Sequence, residues 1–93
     1  MHIGLLQVHV YIPTSESLKD KRQVLRSIKQ RLRNSFNVSV AETGQQDLWQ
    51  RSDLALVMVA TDKAHIQETF SNAVRLILNK ENVEILEESV EFL

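Results

Sequence analysis

The chain has 93 residues, enough for one domain (1–93) with a real core. Hydrophobic residues make up 43% and charged residues 25%, with one proline and two glycines, which argues against disorder. Without cysteine there is no disulfide framework, thiolate metal site or cysteine nucleophile, and no apolar run approaches the roughly 20 residues of a membrane helix. Net charge is −1, and the N-terminal residues lack the basic-then-apolar layout of a signal peptide, so a cytoplasmic protein with no membrane contact is expected.

Met1 to Ile12 alternates with period 2, placing Leu6, Val8, Val10 and Ile12 on one face and predicting a strand that Pro13 ends. Ser17 is a good N-cap for a helix from Leu18 to about Phe36, with Asp20 well placed in its first turn. Leu18, Leu25, Ile28, Leu32 and Phe36, with Val24, form its apolar arc. Lys19, Arg22, Arg26, Lys29 and Arg33 fall on a narrower arc beside it. Lys21 lies nearer the apolar side, so its stem is expected to cover the core edge while its ammonium reaches water.

Asn37 to Thr43 predicts a second strand and Gly44 to Asp47 a turn. A third strand opens at Trp49 or Arg51 and runs to Ala60. Its LALVMVA run is apolar on both faces, as in a central strand. Thr61 and Asp62 offer an N-cap for a second helix whose buried stripe is Ile66, Phe70, Ala73, Val74 and Ile77. Asn79 to Asn82 break that helix. Val83 to Leu93 predicts the last strand, with Leu86, Val90 and Phe92 facing the core; the pattern leaves the phase between Val83 and Leu86 open.

The order βαββαβ implies the α+β, ferredoxin-like split-βαβ sandwich: a four-stranded antiparallel sheet with two helices on one face. The other face would carry Ile3, Leu5, Gln7, His9 and Tyr11, then Ala55, Val57 and Val59, and Glu87, Glu91 and Leu93. Such an apolar patch suggests a contact surface, and a homodimer through the open sheet face is expected.

Charge is unevenly spread. Between Ser17 and Phe36 there are seven cations and one anion, or +6, whereas the remainder carries four cations and eleven anions, or −7. Glu81, Glu84, Glu87, Glu88 and Glu91 crowd the last segment. Such polarity steers charged partners, unless the two halves neutralise each other within the fold.

The runs SLKDKR, VLRSIKQRLRNSFNVSVAE and QDLWQR, between Ser17 and Arg51, closely resemble the YlxP-like family of small bacterial proteins of unknown function. The resemblance covers essentially the whole chain. It implies the ferredoxin-like fold and a loose association with translation, because genes of this family often neighbour those of ribosome-binding factor A and initiation factor 2. It carries over no catalytic residue.

Two surfaces are candidates for function. The stripe Lys19, Arg22, Arg26, Lys29 and Arg33 spans about 21 Å at about 1.5 Å per residue. With Arg51 it offers phosphate contacts to RNA, free or in the ribosome; the bland alternative is a solvated face partly offset by glutamates of a neighbouring last strand. The loop Glu42 to Arg51 is the second. Glu42, Asp47 and Arg51 suggest an ion-pair cluster and Gln46 and Gln50 a ligand or partner contact. Alternatively, Trp49 packs its indole over the hairpin and the polar residues hold the turn.

Base stacking on the open sheet face is disfavoured: only Tyr11 and His9 offer rings, and Glu87 and Glu91 repel phosphate. His2 and His9 have opposite parity, His65 starts a helix, and none has a carboxylate at ligand spacing, so no metal site is expected. No Gly-rich phosphate loop or catalytic constellation is readable, so neither cofactor nor enzyme activity is expected. A protein-interaction or scaffold homo-oligomer, with no nucleic-acid contact, is the alternative to RNA binding. A small-molecule site by Trp49 is a third possibility.

Overall fold

The alternation in the first strand sets the layers of the molecule. In the computed structural model, which describes residues 1–80 and 82–93, Leu6, Val8, Val10 and Ile12 are buried on one side of the sheet. The elements are β1 (His2–Tyr11), α1 (Leu18–Ser35), β2 (Ser39–Gly44), β3 (Arg51–Ala60), α2 (Lys63–Leu78) and β4 (Glu84–Phe92). The sheet order is β2-β3-β1-β4 and every pairing is antiparallel. This is the expected ferredoxin-like arrangement.

β1 and β3 pair over their whole length, from His2 opposite Ala60 to Tyr11 opposite Arg51. Cross-strand partners share a face, so Leu54, Leu56 and Met58 join the β1 residues in the core. The helices close that face with Leu25, Ile28 and Leu32 of α1 and Ile66, Phe70, Ala73 and Ile77 of α2. Each fully buried Leu, Ile or Phe side chain contributes about 1.5–3 kcal/mol. Gly4 lies on this face, where an added Cβ would meet Ile66 Cγ2 at 2.5 Å and Phe70 Cε2 at 3.0 Å. Glycine there lets α2 approach β1 closely.

The α1 N-terminus is capped as its sequence predicts. Asp20 N–H donates to Ser17 Oγ at 3.1 Å, and Glu16 N–H donates to Asp20 Oδ2 at 3.0 Å. At α2, Ala64 N–H donates to Asp62 Oδ1 at 2.9 Å. α1 packs toward β2, while α2 covers β3 and β1. β4 is therefore a lightly covered edge.

One core expectation fails on β4. His9 pairs with Glu87 and Val10 with Ile85, so Leu86 is the extra residue of a bulge. Leu86 is 46% exposed, and Ile85 takes the place opposite Val10. Val90 does share a face with Leu6, but the thin cover over β4 leaves it exposed. Glu81, counted above with the acidic C-terminal segment and within the Asn79–Asn82 break, lies outside the described residues.

Candidate functional site

α1 presents its cations much as the sequence predicts. Lys19, Arg22, Arg26 and Arg33 are exposed and Lys29 is half-buried. No ion pair between described residues involves any of them. The glutamates of β4 do not neighbour this stripe: α1 packs toward the β2 edge, and β4 forms the opposite edge. The positive and negative segments are therefore separated across the sheet instead of neutralising each other. Arg33 differs from the rest, because its guanidinium donates to Val40 O at 2.8 Å and covers part of the β2 edge.

Lys21 departs from expectation. It is fully buried, and its ammonium does not reach water. Nζ lies 3.1 Å from Glu42 Oε2, 3.0 Å from Gln45 O, 3.2 Å from Gln46 O and 3.2 Å from Arg51 O. Four acceptors thus surround its three N–H donors. Ser52, also buried, donates to the same Glu42 oxygen at 2.6 Å. A buried ammonium is tolerated when a carboxylate and carbonyl oxygens replace its hydration shell, and this cage does so.

The cage rearranges the expected loop cluster. Glu42 pairs with Lys21 and not with Arg51, and Asp47 has no ion-pair partner among the described residues. Arg51 stays exposed, its guanidinium carbon 5.9 Å from the centre of the Tyr11 ring. Gln46 folds back, its amide N–H donating to Glu42 O at 3.4 Å. Gln50 ties the loop to the segment before α1, its amide donating to Pro13 O at 3.0 Å and Ser15 O at 3.2 Å. Trp49 is 56% exposed, and Leu48 beside it is exposed too. Residues 47–51 line a shallow depression of about 380 Å³.

The open sheet face divides into two halves. Toward one end lie Ile3, Leu5, Val57, Val59 and Leu93, with Val59 54% and Leu93 71% exposed. Toward the other, His9 Nδ1 approaches Asp53 Oδ1 at 3.1 Å, and the Gln45 amide nitrogen lies 3.2 Å from His9 Nε2. The same amide nitrogen lies 3.1 Å from Nδ1 and 3.5 Å from Asp53 Oδ1, so His9, Gln45 and Asp53 form one polar cluster. The carboxylate partner of His9 is 44 positions away in sequence and directly opposite in register, so no local spacing reveals it. His9, Asp53, Thr43, Gln7, Glu87 and Ser89 border a broad cleft of about 760 Å³. Among the described residues no three His, Asp or Glu side chains converge as a metal shell.

Gln45 joins the two regions. Its backbone has φ 58°, in the left-handed region that β-carbon-bearing residues rarely adopt. That turn aims its carbonyl at Lys21 while its side chain reaches His9 on the opposite face of the sheet.

A family model described as a protein of unknown function, DUF503, matches residues 3–90. The uncharacterized protein YlxP of Bacillus subtilis (strain 168) is 35% identical over 75 residues, covering 81% of this chain and 82% of the relative. Among solved structures, the de novo designed protein Foldit4 superposes with a TM-score of 0.63 at 14% identity, covering 96% of each chain. A de novo designed protein with a ferredoxin fold gives a TM-score of 0.57 at 9% identity, covering 100% of this chain and 84% of its own. These two likenesses concern the fold alone. The chain belongs to the DUF503 family of proteins of unknown function.

Proposed function

We propose that this protein is a non-catalytic binding module that contacts the phosphate backbone of RNA, free or within the ribosome, through α1. One observation carries this: Lys19, Arg22 and Arg26 stand exposed with no ion-pair partner among the described residues, at the edge of the sheet opposite the acidic β4. Unpaired cations aligned on a helix release counterions when they meet phosphates, which gives affinity without sequence readout. Neutralising about three to four phosphates gives a slope of log affinity against log salt of about −2 to −4. The combined variant Arg22→Glu, Arg26→Glu, Lys29→Glu is expected to abolish co-sedimentation with RNA or ribosomes at low salt; unchanged binding overturns the proposal. Co-purification with and without nuclease separates it from a scaffold role, since a partner kept after RNA removal points to an acidic protein surface.

The exposed apolar half of the open face favours a second property, a homodimer formed through Val57, Val59, Leu5 and Leu93. Sedimentation at micromolar concentration tests it: a dimer is expected, Val59→Asp should yield monomer, and a monomeric wild type removes the idea.

A further inference from the structure

Trp49 combines two properties that seldom meet on a loop. Its indole is 56% exposed, although it is the chain's only tryptophan. The backbone around it is nevertheless held on every side. Lys21 fixes Gln45 O, Gln46 O and Arg51 O; Ile12 N–H donates to Gln50 O at 2.7 Å; Leu48 N–H donates to Gln45 O at 3.2 Å. Gln50 adds its two bonds to Pro13 and Ser15. An exposed indole on a pinned loop is preorganised for contact, since little loop entropy remains to be lost on binding.

The same bonds fix where the loop stands. Lys21 belongs to the α1 turn that carries Lys19 and Arg22, and Ser15 precedes the helix cap by two residues. The backbone that carries Trp49 is therefore held beside the end of α1 where the cation stripe begins. Arg51, exposed and two positions on, adds a further cation; Asp47 is the carboxylate that opposes them. We infer that the Trp49 loop is a base-stacking platform for single-stranded RNA, whose backbone continues from the stacked base onto Lys19 and Arg22. This rests on the proposal that α1 binds RNA, and it specifies which form. Duplex bases are already stacked on one another, so only an unpaired base can lie on the indole. Aromatic stacking beside a cationic track is how sequence-tolerant single-strand binders work.

The test uses the full chain, titrated with single-stranded and duplex RNA oligomers of equal length at low salt; binding by wild type and every variant is read from the anisotropy of end-labelled RNA, and in wild type the single tryptophan reports contact with unlabelled RNA. Single-stranded RNA should quench the fluorescence. Trp49→Ala should lose about tenfold or more of single-strand affinity, from the usual strength of base–aromatic stacking, and keep its duplex affinity. Trp49→Phe should retain most of both, and if the alanine variant fails to fold, Trp49→Gln, which lacks a ring, takes its place with the same expected loss. Wild-type binding without quenching, or equal single-strand binding by Trp49→Ala and wild type, overturns the platform while the basic helix survives. Failure of wild type to bind either RNA overturns both. A Trp49-dependent partner that persists after nuclease treatment overturns the platform in favour of a protein contact.

Discussion

Lys21 and Glu42 are 21 residues apart in sequence and meet with Nζ 3.1 Å from Oε2 beneath the β2–β3 loop. The pair joins α1 to the hairpin, and the remaining Lys21 donors hold backbone carbonyls on both flanks of Trp49. The two candidate surfaces, the helix stripe and the loop, are therefore one construction.

Lys21→Met should destabilise the fold by about 3–5 kcal/mol, because it leaves the Glu42 carboxylate without its countercharge and takes a donor from three backbone carbonyls. Methionine keeps the apolar stem, so the loss reports the ammonium and not packing. Urea unfolding followed by circular dichroism measures it. A cost below about 1 kcal/mol would mean that water replaces the cage, and that the ammonium is dispensable.

Ser52→Ala removes the second donor to Glu42, a 2.6 Å bond to a carboxylate. Charge-assisted hydrogen bonds of this kind contribute about 1.5–3 kcal/mol, so a loss in that range is expected. Ser52 and Lys21 share one acceptor oxygen, so the two substitutions should not be additive. A double-mutant cycle on unfolding free energies reads the coupling, and strict additivity would show that Glu42 does not link them.

How much of this was legible in the sequence depends on the range of the interaction. Leu6, Val8 and Val10 reveal their face through immediate alternation, and Leu25, Ile28 and Leu32 through helical spacing. The caps at Ser17 and Asp62 are equally local. Lys21 misleads because its neighbours suggest a snorkelling stem, whereas the loop that encloses its ammonium arrives only after β2 is laid down. Leu86 fails for a related reason: a bulge is decided by pairing with His9 and Val10, not by the strand's own pattern. His9 and Asp53 become partners only through the β1–β3 register. Arg33 looks like its neighbours in the stripe until the β2 edge supplies a carbonyl.

Gly4→Ala should cost about 1–3 kcal/mol, the usual cost of overpacking a filled core. The nearest obstructing atom is a branch methyl of Ile66, which is fully buried, and the Phe70 ring follows at 3.0 Å. Ile66→Ala opens that space at its own cost, so Gly4→Ala should be less harmful in the Ile66→Ala background. Thermal unfolding of the four variants tests this. An equal penalty in both backgrounds would show that Ile66 is not the source of the strain.

Arg33 and Arg26 lie seven residues apart on one helix and both are exposed, yet they should behave differently toward RNA. Arg33 is committed to Val40 O at 2.8 Å, whereas Arg26 has no hydrogen bond or ion pair to another described side chain. A phosphate contact by Arg33 competes with an existing bond; one by Arg26 displaces only water and counterions. Arg26→Ala should therefore lower the magnitude of the salt slope by nearly 1, the value for one lost phosphate contact, and Arg33→Ala by clearly less. In stability the order reverses: Arg33→Ala exposes the edge carbonyl of β2 and should cost about 0.5–1.5 kcal/mol, and Arg26→Ala within about 0.5 kcal/mol. Salt-dependent binding isotherms and urea unfolding of the same two variants give both orders. If Arg33→Ala reduces the slope as much as Arg26→Ala, the bond to Val40 yields readily to phosphate, and the RNA-binding stripe extends along the whole of α1.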